Sequence, residues 1–258
     1  MNPSHRPALR VDSLGVRYGA LVALQGVSWD VRPGELLGII GPNGAGKSSC
    51  YDAVTAIVTR VGRVVLQDRD VTDVPACGLA ALGLKRAFQQ NAFFDDLSVL
   101  DNLVAVLGKR AHSSLLGSVF NPIGAARKRS AASAFATQQL LRFGVPAAYH
   151  GMSPKEIPYG VQRMLSIALA YGDGAAVLLL DEPAAGLGGD DMAQLVTLLT
   201  DLKREGVALV VIEHHMELIM AVADRICVLD LGQQLAYGSP AEVQCDPRVL
   251  EAYLGKPP

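Results

Sequence analysis

The chain has 258 residues, half of them apolar, and a formal net charge of -2. That length suits one α/β domain or a domain with a sub-domain and supplies ample material for a core, while the charge gives no electrostatic case for nucleic acid as the main partner. Four cysteines (Cys50, Cys77, Cys227, Cys245) are widely spaced, with no C-x-x-C, which fits a reducing compartment and argues against a disulfide frame or a zinc site.

The N-terminal stretch carries Asn2, Ser4, His5, Arg6 and Arg10 rather than an apolar signal core, so no secretory leader is expected. The longest aliphatic runs, 175–180 and 207–212, are too short to span a bilayer; the chain is expected to be soluble and to meet a membrane only through a partner. Residues 9–31 alternate as a half-buried sheet does, through Leu14, Val16, Tyr18, Val22, Leu24, Val27, Trp29 and Val31. Arg32-Pro33-Gly34-Glu35 is a turn into an apolar strand, Leu36–Ile40. A helix is expected over 47–59, a hairpin over 61–71, and a short helix over 75–83 between Pro75 and Gly83. Leu84–Phe88 returns toward the core.

From about Asn91 to Gly172 the texture becomes helical. Ser98 with Asp101 resembles a capping box for a helix to about Leu107. Residues 108–126 form a connection rich in Gly and Ser, 127–143 suit a long helix, 151–160 a loop, and 161–171 a helix. Val177–Leu180 is a continuous apolar run, as in a buried parallel strand, and Asp190 is expected to cap a helix with apolar face Leu195, Leu198, Leu199 and Leu202. A second buried strand, Ala208–Ile212, a helix over 216–223, a hairpin about Gly232 and two short helices near 241–245 and 247–254 complete the pattern. The fold class is therefore α/β: a phosphate-loop NTPase core with a mixed sheet, an N-terminal antiparallel β subdomain and an inserted α-helical subdomain. Within a single domain spanning 1–258, the core covers 1–90 and 173–240, the helical insert 91–172, and a helical extension 241–258.

Residues 41–48 read G-x-x-x-x-G-K-S, with Gly41, Gly46, Lys47 and Ser48 at the defining places. A di- or triphosphate needs converging donors. Glycine-rich backbone supplies N–H groups free of Cβ atoms, and the helix that follows adds its positive end. Asn43, Gly44, Ala45, Gly46, Lys47, Ser48 and Ser49 are the candidate phosphate cradle; Lys47 would reach the β- and γ-phosphates and the Ser48 hydroxyl would bind Mg²⁺. Hydrolysis of ATP further needs a carboxylate for the metal, a group for the attacking water and a sensor of the γ-phosphate. Asp181 ends a hydrophobic strand, where open α/β sheets bind ligands, and is the metal-directed carboxylate. Glu182 could act as general base, His214 at the end of the next strand could bond the γ-phosphate, and Gln89 could reach metal and water. Taken singly, these residues also have plain readings as a solvated turn, a structural histidine and a loop amide.

In this order the motifs resemble the ATP-binding subunits of ABC transporters over the whole chain. The phosphate loop resembles Walker A, Val177–Glu182 Walker B with its catalytic glutamate, Phe88-Gln89 the Q-loop, and Ile212-Glu213-His214 the switch histidine. Tyr18 stands where family members stack an aromatic on adenine; its other reading is an edge-strand core residue. Arg86–Gln89, Tyr159–Arg163, Asp181–Leu187 and Leu250–Gly255 look like the branched-chain amino-acid importer group, with urea and short-amide importers similar. The resemblance implies an ATPase using ATP and Mg²⁺. It implies as partners a second ATP-binding subunit, head to tail and expected to be a paralogue, integral membrane permease subunits and, indirectly, an extracytoplasmic solute-binding protein; no nucleic acid is expected. The location implied is peripheral, on the cytoplasmic face of the inner or plasma membrane. Phe93 and Phe94 are either contacts for a permease helix or core residues of the insert. Two other classes share the motifs: soluble ATPases acting on DNA or ribosomes, which tend to carry two ATP-binding halves or a long coiled coil absent here, and nucleotide-dependent regulators.

The signature loop departs from the family pattern. It reads Ile157-Pro158-Tyr159-Gly160-Val161, so Pro158 replaces the serine that would donate to a partner-bound γ-phosphate and Val161 replaces the glutamine. What remains at Pro158, Tyr159 and Gly160 is a helix start, its amide and its dipole. Gly188, Leu169 and His215 also stand where Asp or Asn, Arg, and Asp are usual. The expectation is a strong site built on this chain's phosphate loop and a weaker one completed by its signature; the alternative is that a tolerant signature works well enough.

Overall fold

The computed structural model describes residues 6–90, 92–108 and 122–254. The start at Asn2–His5, the boundary residue Asn91, most of the 108–126 connection and Gly255 lie outside the described residues. The described part clusters into two compact units, one of 1–86, 175–185 and 199–258, the other of 87–174 and 186–198.

The first unit holds two sheets. Strands β1 (Leu9–Tyr18), β2 (Leu21–Val31), β4 (Val61–Leu66) and β5 (Arg69–Asp70) form an antiparallel sheet in the order β2-β1-β4-β5. Their alternating pattern buries Leu9, Val11, Leu14, Val27 and Trp29 and turns polar residues outward. The second sheet has the order β10-β9-β3-β8-β7-β6, from β3 (Leu36–Ile40), β6 (Leu84–Ala87), β7 (Val177–Asp181), β8 (Ala208–Ile212), β9 (Arg225–Asp230) and β10 (Gln233–Gly238). Strands β9, β3, β8 and β7 run parallel, and β10 pairs back antiparallel on β9, so the sheet is mixed. Every residue of β3, β7 and β8 is buried, the reason these strands are uninterrupted apolar runs rather than alternating ones. Helices α1 (Lys47–Val54) and α2 (Ala76–Ala81) follow β3 and β5. Tyr51 on α1 is fully buried, and its hydroxyl donates to the carbonyls of Leu180 and Val210, tying α1 to β7 and β8.

The second unit is helical: α3 (Val99–Val106), α4 (Pro122–Arg142), α5 (Tyr159–Tyr171) and the first turns of α6 (Gly189–Arg204). Ser98 caps α3, accepting from the Asp101 amide as its spacing predicts. Arg142 lies over the rings of Phe143 and Tyr171, 5.3 and 5.0 Å from their centroids. Several boundaries differ from expectation: α1 stops at Val54 rather than near 59, and α4 begins at Pro122 rather than 127. Helix α5 starts at Tyr159, two residues before Val161, because Pro158 at its N-cap is already extended (φ -55, ψ 149) and Tyr159 can enter the helix at once. Asp190 lies inside the first turn of α6 rather than at its cap; with Asp191 it complements the positive helix end. The buried face of Leu195, Leu198, Leu199 and Leu202 is as expected. The chain closes with α7 (Met216–Val222), α8 (Pro240–Gln244) and α9 (Pro247–Leu254) of the first unit.

Candidate functional site

The candidate nucleotide site lies at the carboxyl ends of β3, β7 and β8. Residues 41–46 leave β3 in a path that excludes side chains at two points: a Cβ on Gly41 would strike the Leu229 carbonyl, and one on Gly46 would lie 2.6 Å from the Ala23 carbonyl. Both glycines have positive φ, so this loop needs glycine for conformation and for space. Asn43 and Gly44 are exposed, Ala45 is buried, Gly46 is the N-cap of α1, and Lys47, Ser48 and Ser49 form its first turn. No side chain caps that helix end, which leaves its first amides available to an anion. The Lys47 ammonium donates to the carbonyls of Gly41 and Pro42 at 2.7 and 3.0 Å. Burial pushes this amine below its ordinary value against the pull of Glu182 and Asp181, so it is a cation held among weak acceptors beside two acids.

Asp181 is the last residue of β7 and is paired in register with Ile212 of β8. Burial pushes its carboxyl up, opposed by Arg86, whose guanidinium donates to Asp181 at 3.0 Å and to Asp52 at 2.6 Å. Arg86 also lies 5.4 Å over the Tyr51 ring. Glu182 follows with φ 47, a left-handed conformation uncommon for a side-chain-bearing residue. Its amide donates to the Ile212 carbonyl at 2.9 Å and its carbonyl accepts from Ala185 at 3.1 Å. The exposed His214 ring places Nδ1 3.8 Å from Glu182 Oε1. Phosphate loop, Asp181, Glu182 and His214 are thus brought to one sheet edge of one unit.

Among the described residues no three His, Cys, Asp or Glu side chains converge as a metal cage. A Mg²⁺ ion, which favours one or two protein oxygens plus substrate phosphates and water, fits a donor set of one hydroxyl and one carboxylate. Tyr18 ends β1, an interior strand of its sheet, and is 45% exposed, so its reading as an edge-strand core residue falls.

In the second unit Gln89 follows β6, and its carbonyl accepts from Arg163 at 2.9 Å; Arg163 also donates to the Tyr159 hydroxyl at 3.0 Å. Arg163 is 2% exposed. A Cβ added at Gly160 would run into the Asp191 carboxylate, so an acid packs on the first turn of α5. Phe94 is exposed and Phe93 half-buried. The loop that presents them is held by Asn102, fully buried, which bonds the Phe94 amide and the carbonyls of Phe94, Leu97 and Ser98. Sequence reasoning placed Arg86, Arg163 and Glu213 inside motif stretches but gave none of them, nor Asn102, a role of its own; a further signal was a charged or polar side chain embedded among apolar neighbours.

The family model described as "ABC transporter" matches residues 24–185, and one described as "Branched-chain amino acid ATP-binding cassette transporter" matches 233–257. The chain is 33% identical to the high-affinity branched-chain amino acid transport ATP-binding protein LivG of Salmonella typhimurium over 97% of this chain and 99% of that protein. It is 32% identical to BraF of Pseudomonas aeruginosa, which bears the same description, over 97% and 99%. A crystal structure of a nucleotide-free ATP-binding cassette from an ABC transporter superposes with a TM-score of 0.83 at 26% identity, covering 97% of this chain and all of that one. Matched by a family model over 24–185 and by relatives about one-third identical over 97% of its length, the chain belongs to the ABC transporter family, as an ATP-binding, ATP-hydrolysing subunit.

Proposed function

We propose that this chain powers an importer of branched-chain amino acids or a closely related small solute. The observation that carries the reading is the convergence of Lys47, Asp181, Glu182 and His214 on one sheet edge, in a chain similar over its length to LivG and BraF. No helix among the described residues is long and apolar enough to cross a membrane. By its likeness to LivG and BraF, the subunit would sit on the cytoplasmic face against integral permease subunits, with an extracytoplasmic solute-binding protein supplying the solute.

In this reading the amides of 43–49 and the α1 dipole hold the β- and γ-phosphates of ATP, and Lys47 turns from the Gly41 and Pro42 carbonyls to the phosphate oxygens. Tyr18 offers its exposed ring to adenine. Ser48 and Asp181 would hold Mg²⁺; when bound, the ion would neutralise charge developing on the phosphate oxygens. Glu182 accepts a proton from the attacking water, and His214 donates to the γ-phosphate, held within reach by the register of β7 and β8. A second ATP-binding subunit, facing head to tail, adds its signature loop before turnover. Because Pro158 lacks the hydroxyl and N–H of the usual serine, and Asp191 adds negative charge beside Gly160, the site this chain completes on its partner is the weaker, which favours a paralogous partner. The test is affinity purification of the intact complex followed by vesicle reconstitution. Permease subunits should co-purify, and leucine-loaded binding protein should stimulate phosphate release; a complex without membrane subunits overturns the reading.

A further inference from the structure

Glu213 lies between the strand end and His214, fully buried. A buried carboxylate persists only when donors compensate its lost hydration, and here three backbone amides converge on it. Ala184 donates to Oε1 at 2.8 Å, and His214 and His215 donate to Oε2 at 3.0 and 3.1 Å. Ala184 lies two residues past Glu182 on the turn after β7, while His214 and His215 form the turn after β8. One side chain thus ties together the backbone segments that present Glu182 and His214. Glu213 Oε2 is 3.8 Å from His214 Nδ1, the same distance as Glu182 Oε1.

From this geometry, and resting on the function proposed above, we infer that Glu213 is a positioning residue for hydrolysis: its carboxylate sets the spacing of the Glu182 and His214 side chains without touching nucleotide. Being buried, it is no candidate base. Being acceptor-only, it suits three converging N–H groups as an amide does not, because the NH₂ of a glutamine would face one of these donors. An aspartate keeps the charge but is one methylene too short to reach both turns.

The test uses the intact complex with Glu213→Gln and Glu213→Asp, alone and combined with His214→Ala, with Glu182→Gln and His214→Ala as references. The readouts are thermal melting, affinity for a fluorescent ATP analogue, and kcat and KM for ATP. Expected for both Glu213 variants is a kcat lower by about tenfold or more, the scale of losing a group that orients a reacting side chain. Analogue affinity and KM stay within about twofold, and the effect largely vanishes in the His214→Ala background, where there is no histidine left to place. If Glu213→Gln does not fold, Glu213→Asp, which leaves the buried charge intact, carries the same expectations. Wild-type kcat in Glu213→Asp or Glu213→Gln, or parallel losses of melting temperature, affinity and kcat that persist undiminished beside His214→Ala, overturns the inference. If the Glu182→Gln and His214→Ala references themselves turn over normally, the proposed site falls and this inference with it; if they fail while the Glu213 variants turn over normally, only this inference falls.

Discussion

At the edge of the parallel sheet, every proposed catalytic side chain is placed by backbone that other residues hold. Lys47 starts a helix behind a loop that admits only glycine at positions 41 and 46, Asp181 is pinned by Arg86, and Glu182 and His214 flank the amides gathered by Glu213. At the start of α5 the arrangement is sparer. Pro158 caps the helix without a side-chain bond, the Tyr159 hydroxyl accepts from Arg163, and an acid packs on Gly160. Both regions are helix starts suited to anions. One is enriched with a cation and left open; the other has lost a donor and gained a carboxylate. Under the function proposed above, a chain built this way would form two composite sites that need not be equal.

The hardest test of that contrast is Glu182→Gln in the assembled complex. Phosphate release should fall about 100-fold or more, the range for losing a general base, with nucleotide binding kept; substantial residual turnover would move the strong site to the partner's phosphate loop. Lys47→Ala should weaken binding of ATP by about 10- to 100-fold, the loss expected of charge-assisted bonds worth about 1.5–3 kcal/mol, measured by titration with a fluorescent analogue. Pro158→Ser sharpens the comparison from the other side. A serine at the N-cap can bond an α5 amide and contributes about 1 kcal/mol to the helix; it should also raise turnover severalfold if the thinned signature is limiting. Unchanged turnover would show that the two sites are balanced by other means.

A smaller effect tests Arg86. Burial holds the Asp181 carboxyl above its ordinary 3.8 and Arg86 opposes this. A folded-state value above the unfolded one favours the protonated form on folding. Its stabilising contribution is full below the ordinary carboxylate value and is lost as pH rises through the folded one. Arg86→Gln removes the opposing cation, so the window moves to higher pH. The variant's melting temperature should decline more than the wild type's as pH is raised from the acid side toward neutrality, by about 1–3 kcal/mol in stability; parallel melting curves across that range would mean that Arg86 does not govern Asp181.

Much of this molecule was legible along the chain because its causes are local. The phosphate loop is a contiguous pattern whose glycines answer to φ and to close backbone approach; β3, β7 and β8 are apolar runs because both sheet faces are covered; Ser98 announces a helix three residues ahead of Asp101. Candidate residues at strand ends could be named because a parallel sheet brings those ends to one edge. What the order of residues could not disclose is which distant groups meet. Arg86 reaches Asp181 across 95 positions, Arg163 reaches the Gln89 carbonyl across 74, and Glu213 reaches the Ala184 amide across 29. Those pairings carry no periodic signal. They exist only after strands are in register and a buried charge must find donors, so tertiary packing alone decided how the residues named by the sequence are held.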